Sequence, residues 1–351
     1  MNHKQVTFVR EFRGISQTAL AKSIEGLSQS NLSNFEKGLS TLSEDLKQKV
    51  VDKLQFPKGF FELKINISIE NKHYRKKATI RKAIVDKFEN FCKILGYVVD
   101  EMSEYVEWPA FRLQPLNVEE GYTPRYIANY TRKLLRLNKS EPVANIITLL
   151  EQSGIIVYEL AEDEKFDGVS FITDKGFAII VINKNFSNDR KRFTLAHELG
   201  HILMHNEFNF PISSYRDEKW KEKEANEFAG EFLMPEEAIV NSLRNLKISD
   251  LMVLKNYWLT SMSSIIRRAF ELGLINKDRY TYFAIEMSRR GYNKQEPGIV
   301  YIDNPVCFKN GYLLLKNELN YDVEDFIEIF ALPKDVITDI YSFVPTLKAL
   351  N

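Results

Sequence analysis

The chain has 351 residues, of which 44% are hydrophobic and 27% are charged, and its formal net charge at pH 7 is zero. This length suits two or three domains, and the composition excludes disordered and fibrous proteins. No signal peptide opens the chain and no apolar run approaches membrane-spanning length, so we expect a cytoplasmic protein with no membrane partner.

Residues 1–62 are expected to form an all-helical DNA-binding domain. Two short helices are predicted at 16–26 and 27–38, joined by a tight turn in helix-turn-helix geometry. Once Leu32 and Phe35 are buried, the second helix exposes amides that can pair with adenine edges, and groups that can meet phosphates. The predicted DNA-binding residues are Gln29, Ser30, Asn31, Ser33, Asn34 and Lys37.

The charge along the chain supports this interpretation. Residues 1–100 carry 18 Lys and Arg against 11 Asp and Glu, so the remainder is acidic by the same margin. A basic N-terminal segment followed by an acidic remainder is typical of a nucleic-acid-binding protein. We therefore expect double-stranded operator DNA as a partner. A homodimer is the assembly considered for this binding. The alternative is a helical bundle that mediates only protein contacts, because the second helix has no arginine before Lys37.

A connecting segment is expected at 63–110. The basic stretch "NKHYRKKATIRK" (71–82) is interpreted as a linker or hinge, and a long helix is predicted from Ala83 to Val106. Further helices are predicted around 124–137 and 142–152.

After these helices, the spacing of the apolar residues is no longer helical. Runs of β-branched and aromatic residues predict strands at 154–160, 168–172 and 177–183, and helices resume at 189–205 and 217–233. These elements indicate an α+β domain with a small sheet at 111–245.

The region 246–351 is predicted to be a mostly helical C-terminal subdomain. Two runs, "GIVYID" from Gly298 and "GYLLLKN" from Gly311, predict a short strand pair, and a terminal helix is expected to follow.

The stretch "RFTLAHELGHILMH" contains the motif H-E-x-x-H. His197 and His201 are four residues apart and share one helix face, so both imidazoles can reach one Zn²⁺ ion. Glu198 lies beside them and can take a proton from bound water as the catalytic base. The alternative is a zinc-free helix with hydrogen-bonded core histidines. Cys92 and Cys307 lack any CxxC partner, so the sequence indicates neither a disulfide framework nor a thiolate zinc site.

A third zinc ligand is expected from the carboxylate-rich helix "EKEANEFAGEFLMP" (222–235). We favour Glu222, because it shares a helix face with Ala225, Asn226 and Ala229. Glu224 remains the alternative, although it projects about 200° around the helix and is expected to face solvent. Two histidines and one carboxylate leave a coordination position open for water, as a catalytic zinc site requires.

His205 lies one further turn along the motif helix. The extended pattern HExxHxxGxxH would need a glycine at position 204 and a histidine at position 207, and the chain has Met204 and Glu207 instead. We therefore interpret His205 as a helix-end residue, favourable near the negative end of the helix dipole, and not as a ligand.

Two known families share these motifs. Residues 1–60, with "SQTALAKSIEGLSQSNLSNFEKG", resemble the repressor-type helix-turn-helix family, also called the XRE family. Residues 155–235 resemble the ImmA/IrrE-type metallopeptidases through "FDGVSF", "RFTLAHELGHILMH" and "EKEANEFAGEFLMP". The resemblance implies a cytoplasmic zinc protease that cleaves a repressor or antitoxin to relieve transcriptional control. By motif, His197, His201 and Glu222 match the zinc ligands and Glu198 the general base.

The sequence thus predicts a DNA-binding regulator that carries a zinc endopeptidase. The strand residues Gly168, Val169, Ser170 and Phe171 are expected to hold the protein substrate as an added strand. One alternative is a transcription factor whose zincin-like domain senses a ligand or metal without proteolysis. Another is an antitoxin-like or immunity component that acts through protein contacts.

Overall fold

The computed structural model describes residues 1–67, 82–161, 166–205 and 218–342. Within these ranges it contains sixteen α-helices and one three-stranded sheet, which confirms the predicted α+β class and the helical N-terminal region. The predicted linker at 71–82 lies outside the described residues except for its last residue.

The N-terminal region is built from four short helices, three of which have a serine at the N-cap. The hydroxyl of Ser16 accepts a hydrogen bond from the backbone N–H of Ala19, and that of Ser28 accepts one from Asn31. These bonds satisfy N–H groups that the first helical turn leaves without partners, so each helix starts directly after its serine. The helices are α1 (His3–Phe12), α2 (Gln17–Lys22), α3 (Gln29–Glu36) and α4 (Glu44–Leu54).

The middle of the chain contains the sheet. Its order is β1-β3-β2, with β1 parallel and β2 antiparallel to β3. All three predicted strands are confirmed, as are the helices before them. The elements are α5 (Lys82–Met102), α6 (Pro124–Leu134), α7 (Ile146–Gln152), β1 (Ile155–Leu160), β2 (Gly168–Ile172) and β3 (Ala178–Asn183).

Helices account for all the regular structure described after the sheet. They are α8 (Asn188–Met204), α9 (Glu218–Leu233), α10 (Glu236–Leu243), α11 (Asp250–Trp258), α12 (Met262–Glu271), α13 (Lys277–Arg289), α14 (Cys307–Glu318), α15 (Val323–Phe330) and α16 (Lys334–Ile340). In the described part of the chain, no helix has the length and apolar character needed to cross a membrane.

The predicted strand pair in the tail is wrong. The run from Gly311 belongs to α14, and residues 298–303 form no strand. Phe308, Tyr312 and Leu315 recur at helical spacing and are all buried, so one helix face packs into the core. Gly311 allows that contact, because a Cβ there would lie 2.5 Å from a ring carbon of Trp108.

The sheet separates two hydrophobic cores. Alternate residues of a strand point to opposite faces, so Ile156 and Val181 enter one core while Val157 and Ile180 enter the other. The first core joins the N-terminal helices to α5 and to α14–α16. The second core contains the apolar residues of α6 to α13, including those of the helix that carries H-E-x-x-H.

The N-terminal helices also contact the C-terminal ones. Arg13 forms an ion pair with Asp335, and its guanidinium lies 4.9 Å from the ring centroid of Phe56. The hydroxyl of Tyr97 on α5 donates to the carbonyl of Phe330 at 3.1 Å. The N-terminal helices and the helices α14–α16 therefore pack on the same face of the sheet.

Candidate metal centre

Helix α8 packs against β2, β3 and α9. Glu198 and His201 are completely inaccessible to solvent, and His197 is buried as well. Polar groups at such depth are costly without partners, so their contacts indicate what the helix does. The apolar residues that fix the rotation of the helix are Leu195, Leu199, Ile202 and Leu203.

Three side chains converge at the middle of α8. The Nε2 atoms of His197 and His201 are 3.1 Å apart, and the carboxylate oxygens of Glu222 lie 3.8 Å and 3.5 Å from them respectively. A tetrahedral zinc ion with ligand bonds of 2.0–2.1 Å places its ligand atoms about 3.3 to 3.4 Å apart. The residues thus fit a metal ion in both distance and donor chemistry.

Close packing of α8 and α9 brings Glu222 to the histidines. A Cβ on Gly200 would lie 3.1 Å from Phe228 and 3.4 Å from the Cα of Ala225, so the glycine lets the two helices approach. Asn226 donates a hydrogen bond to the carbonyl of Glu222 at 2.7 Å, within the same helix. The Glu222 side chain is 38% exposed, so the centre opens towards solvent on this side.

The structure places Glu224 against His205, not in solvent, so the expected solvent-facing position is wrong. Glu224 is 8% exposed and its Oε2 lies 2.9 Å from Nε2 of His205. The solvent-facing position was expected only from the angle between Glu224 and Glu222 around the axis of α9. Helix α9 packs against both α8 and α6, so a residue opposite Glu222 is still covered.

His205 follows the last residue of α8, as predicted, and donates its backbone N–H to the carbonyl of His201. It is also buried, and its Nδ1 lies 3.0 Å from Nδ1 of His201. If Nε2 of His201 binds a metal, its Nδ1 carries a hydrogen that His205 can accept, and Nε2–H of His205 can then donate to Glu224. This chain of contacts was not predicted from the sequence. Its only sequence signal was a third histidine at the same four-residue spacing.

Strand β2 lies next to Glu198. The hydroxyl of Ser170 donates to Oε2 of Glu198 at 2.8 Å. A Cβ on Gly168 would lie 2.4 Å from Thr194 Cγ2, so the absence of a side chain lets β2 approach α8. Val169 and Phe171 point into the opposite core. Of the four predicted substrate residues, Gly168 and Ser170 are thus beside the metal centre.

The six predicted DNA-binding residues lie on α3 or directly after it. Five are exposed and Ser33 is partly buried, while Leu32 and Phe35 are buried beneath them. The amide of Gln29 donates to the side-chain oxygen of Gln17 at 3.2 Å, which links the starts of α2 and α3. The helix therefore presents a polar face to solvent, far along the chain from the metal centre.

Comparison with known proteins supports a metallopeptidase-type domain. Residues 150–296 match the family model Peptidase_M78, described as the IrrE N-terminal-like domain. The match contains the sheet, both helices of the metal centre and the helices up to α13, and it covers less than half of the chain. A search of the curated proteins found no match.

Proposed function

We propose that the chain is a cytoplasmic DNA-binding transcriptional regulator with a zinc-dependent endopeptidase that cleaves a repressor or antitoxin. The observation that carries the proposal is the convergence of His197, His201 and Glu222, with Glu198 buried beside them. Two histidines and one glutamate with an open position are the ligand set of catalytic, not structural, zinc. In this proposal residues 1–62 bind operator DNA and residues 111–245 contain the peptidase.

Each polar residue of the centre has a separate role in peptide hydrolysis. His197, His201 and Glu222 would hold the Zn²⁺ ion, which when bound polarises a carbonyl and lowers the pKa of water. Glu198 takes the proton from the attacking water and passes it to the leaving amine. Ser170 orients the Glu198 carboxylate through its hydrogen bond.

The substrate would bind along β2. In the sheet order this strand has β3 on one side only, so among the described strands its other edge is open to an extended peptide. Addition of a strand supplies backbone hydrogen bonds without selecting side chains. Ser170 ties this edge to Glu198, so a peptide held here lies beside the proton acceptor.

The exposed face of α3 would contact operator DNA. Its amide and hydroxyl side chains are suited to base edges and phosphates in the major groove. The contact between Gln17 and Gln29 holds one of these amides in a fixed orientation. A homodimer would place two such helices on a two-fold operator.

The direct test compares the zinc-loaded wild type with Glu198→Gln at equal zinc content. We expect the wild type to cleave casein or a candidate repressor, and we expect Glu198→Gln to lose nearly all of this activity while it still binds operator DNA. Equal cleavage by both proteins would contradict the catalytic assignment. A non-proteolytic sensor would instead show zinc-dependent DNA binding in both proteins and no cleavage in either.

A further inference from the structure

Two cavities that share lining residues lie beside the metal centre, along α9 and α12. The larger has a volume of about 710 Å³ and includes the metal-centre residue Glu222 in its wall. The smaller, of about 360 Å³, reaches Phe193, whose ring centroid lies 6.4 Å from that of His197. Both cavities are lined by Asn226 and Arg267, so together they form one groove, which we call the α9–α12 groove.

Among the described residues that line the larger cavity, cationic side chains outnumber carboxylates. The cations are Arg125, Lys219, Lys223 and Arg267, and the carboxylates are Glu222, Glu227 and Glu271. A bound metal dication would add further positive charge at the Glu222 end. Such a cleft concentrates anionic groups and repels cationic ones.

The two arginines are held in place by carboxylates. Arg267 donates from Nε to Glu271 at 2.6 Å, and its side chain remains 58% exposed. Arg125 bridges Glu227 and Glu236 in the same way, at 3.1 Å and 2.7 Å. Both arginines line the groove, and these contacts restrain their guanidinium groups, which reduces the ordering cost when a carboxylate binds.

The lysines are not neutralised in this way. Among the described residues, neither Lys219 nor Lys223 forms an ion pair with a carboxylate, and the ammonium of Lys223 lies 4.9 Å from the ring centroid of Trp220. Within the described residues, the groove therefore contains two lysines without an ion pair and the half-exposed guanidinium of Arg267, next to the residues that would perform the chemistry.

We infer that the α9–α12 groove selects peptides with an acidic side chain close to the scissile bond, with Arg267 as the specificity-determining residue. This inference rests on the proposed peptidase function, because the groove is used only if a peptide crosses the metal centre. A DNA phosphate could also meet these cations. The groove, however, shares Glu222 with the metal centre. The helix proposed to bind DNA, α3, packs through Leu32 and Phe35 into the core on the other face of the sheet.

The test uses end-blocked, dye-labelled octapeptides of alanine and leucine in which Asp, Asn or Lys is placed at each position in turn. Binding is measured by fluorescence anisotropy to zinc-loaded Glu198→Gln, so that cleavage does not interfere. We expect the best Asp peptide to bind about fivefold more tightly than its Asn counterpart and more tightly still than its Lys counterpart, as one partly exposed ion pair allows. This preference should decrease as salt is raised.

The same measurement on Arg267→Glu and Arg267→Gln, both in the Glu198→Gln background, tests the assigned residue. Arg267→Glu should remove or reverse the preference, and Arg267→Gln should reduce it. The matched control is Arg289→Glu, which makes the same charge change on α13, where Arg289 pairs with Glu286. This control should keep the preference of the parent protein.

Three outcomes would overturn the inference: equal affinity for all three peptide types, an equal loss of preference in Arg289→Glu, or an unchanged peptide preference in Arg267→Glu, whether or not this variant binds double-stranded DNA more weakly. Cleavage of the same peptides by the wild type separates the two proposals. Cleavage without charge preference supports the peptidase and overturns the selectivity. Charge-selective binding with no cleavage contradicts the peptidase and supports the selectivity of the groove.

Discussion

Ser170 on β2 donates its hydroxyl hydrogen to the carboxylate of Glu198 on α8, at 2.8 Å. The bond joins the strand that would hold a peptide to the residue that would take the proton. The neighbours of Ser170 in β2, Val169 and Phe171, are buried in the core formed with the N-terminal helices. One strand therefore contacts the proposed catalytic base on one face and the N-terminal core on the other.

Removal of the Ser170 hydroxyl should impair catalysis without loss of metal. We expect Ser170→Ala to lower kcat for peptide cleavage by roughly threefold to tenfold, because Glu198 loses a buried hydrogen bond that orients it. Zinc content, measured by atomic emission on the same sample, should not change. Ser249→Ala is a matched control, since Ser249 makes an exposed hydrogen bond to Asp250 away from the centre. A loss of zinc in Ser170→Ala would show that the hydroxyl supports the metal site instead.

The contact between His205 and Glu224 should strengthen metal binding. We expect His205→Asn and Glu224→Gln to weaken zinc affinity by about 10- to 100-fold, as is typical for groups that orient a ligand histidine. Glu222→Gln should weaken it more, because it alters a ligand. Competition with a chromophoric chelator measures all three. Glu218→Gln, an exposed change on the same helix, provides the control. If Glu224→Gln and Glu222→Gln exchanged their effects, Glu224 would be the ligand.

The helix of the metal centre could be predicted from the sequence because residues four apart share a helix face, whatever surrounds the helix. The same local argument favoured Glu222. The burial of Glu224 could not be predicted in this way, because it depends on His205, which lies nineteen residues away in the sequence. The contact between Ser170 and Glu198 could not be predicted for the same reason, since only the folded sheet brings Ser170 next to α8.

The strand predicted from Gly311 was wrong for a related reason, since the local sequence pattern there does not distinguish a strand from a helix. The consecutive apolar residues after Gly311 are compatible with a strand as well as with a helix, because such a run has no clear period. Packing decides between the two. The ring of Trp108 occupies the space above Gly311, and this contact exists only when α14 is formed.

The stability of the fold should depend on pH through Glu151. Its carboxylate accepts N–H bonds from Val306 and Cys307 at the start of α14, and burial raises its pKa to about 7 from 4.5. A raised pKa means that the folded state binds the proton more tightly than the unfolded state does. The corresponding stabilisation is complete below pH 4.5 and is lost as the pH rises through 7.

Glu151→Gln isolates this contribution, since an amide keeps an acceptor oxygen but does not titrate. Between pH 4.5 and pH 8, the free energy of unfolding of the wild type should fall relative to that of Glu151→Gln by roughly 1–3 kcal/mol. Urea unfolding at several pH values gives both curves. A difference between the two proteins that is constant with pH would contradict the assignment.

Gly168 should be intolerant of any side chain. In Gly168→Ala the new Cβ would meet Thr194 Cγ2 at 2.4 Å, so β2 and α8 would have to move apart. We expect a loss of about 1–3 kcal/mol in the free energy of unfolding, as for other overpacked sites. Gly59→Ala is the control, because its Cβ would make only an ordinary contact of 3.6 Å with Ala331. An equal effect of both substitutions would argue against close packing of β2 on α8.

The central claim is that His197, His201 and Glu222 together bind one metal ion. Metal analysis of the protein purified without chelator, together with His197→Ala, tests this most directly. We expect close to one zinc ion per wild-type chain and less than about 0.1 in His197→Ala, since the loss of one of three ligands weakens binding severely. A wild-type protein with less than about 0.1 zinc per chain, and no zinc uptake on titration, would contradict it.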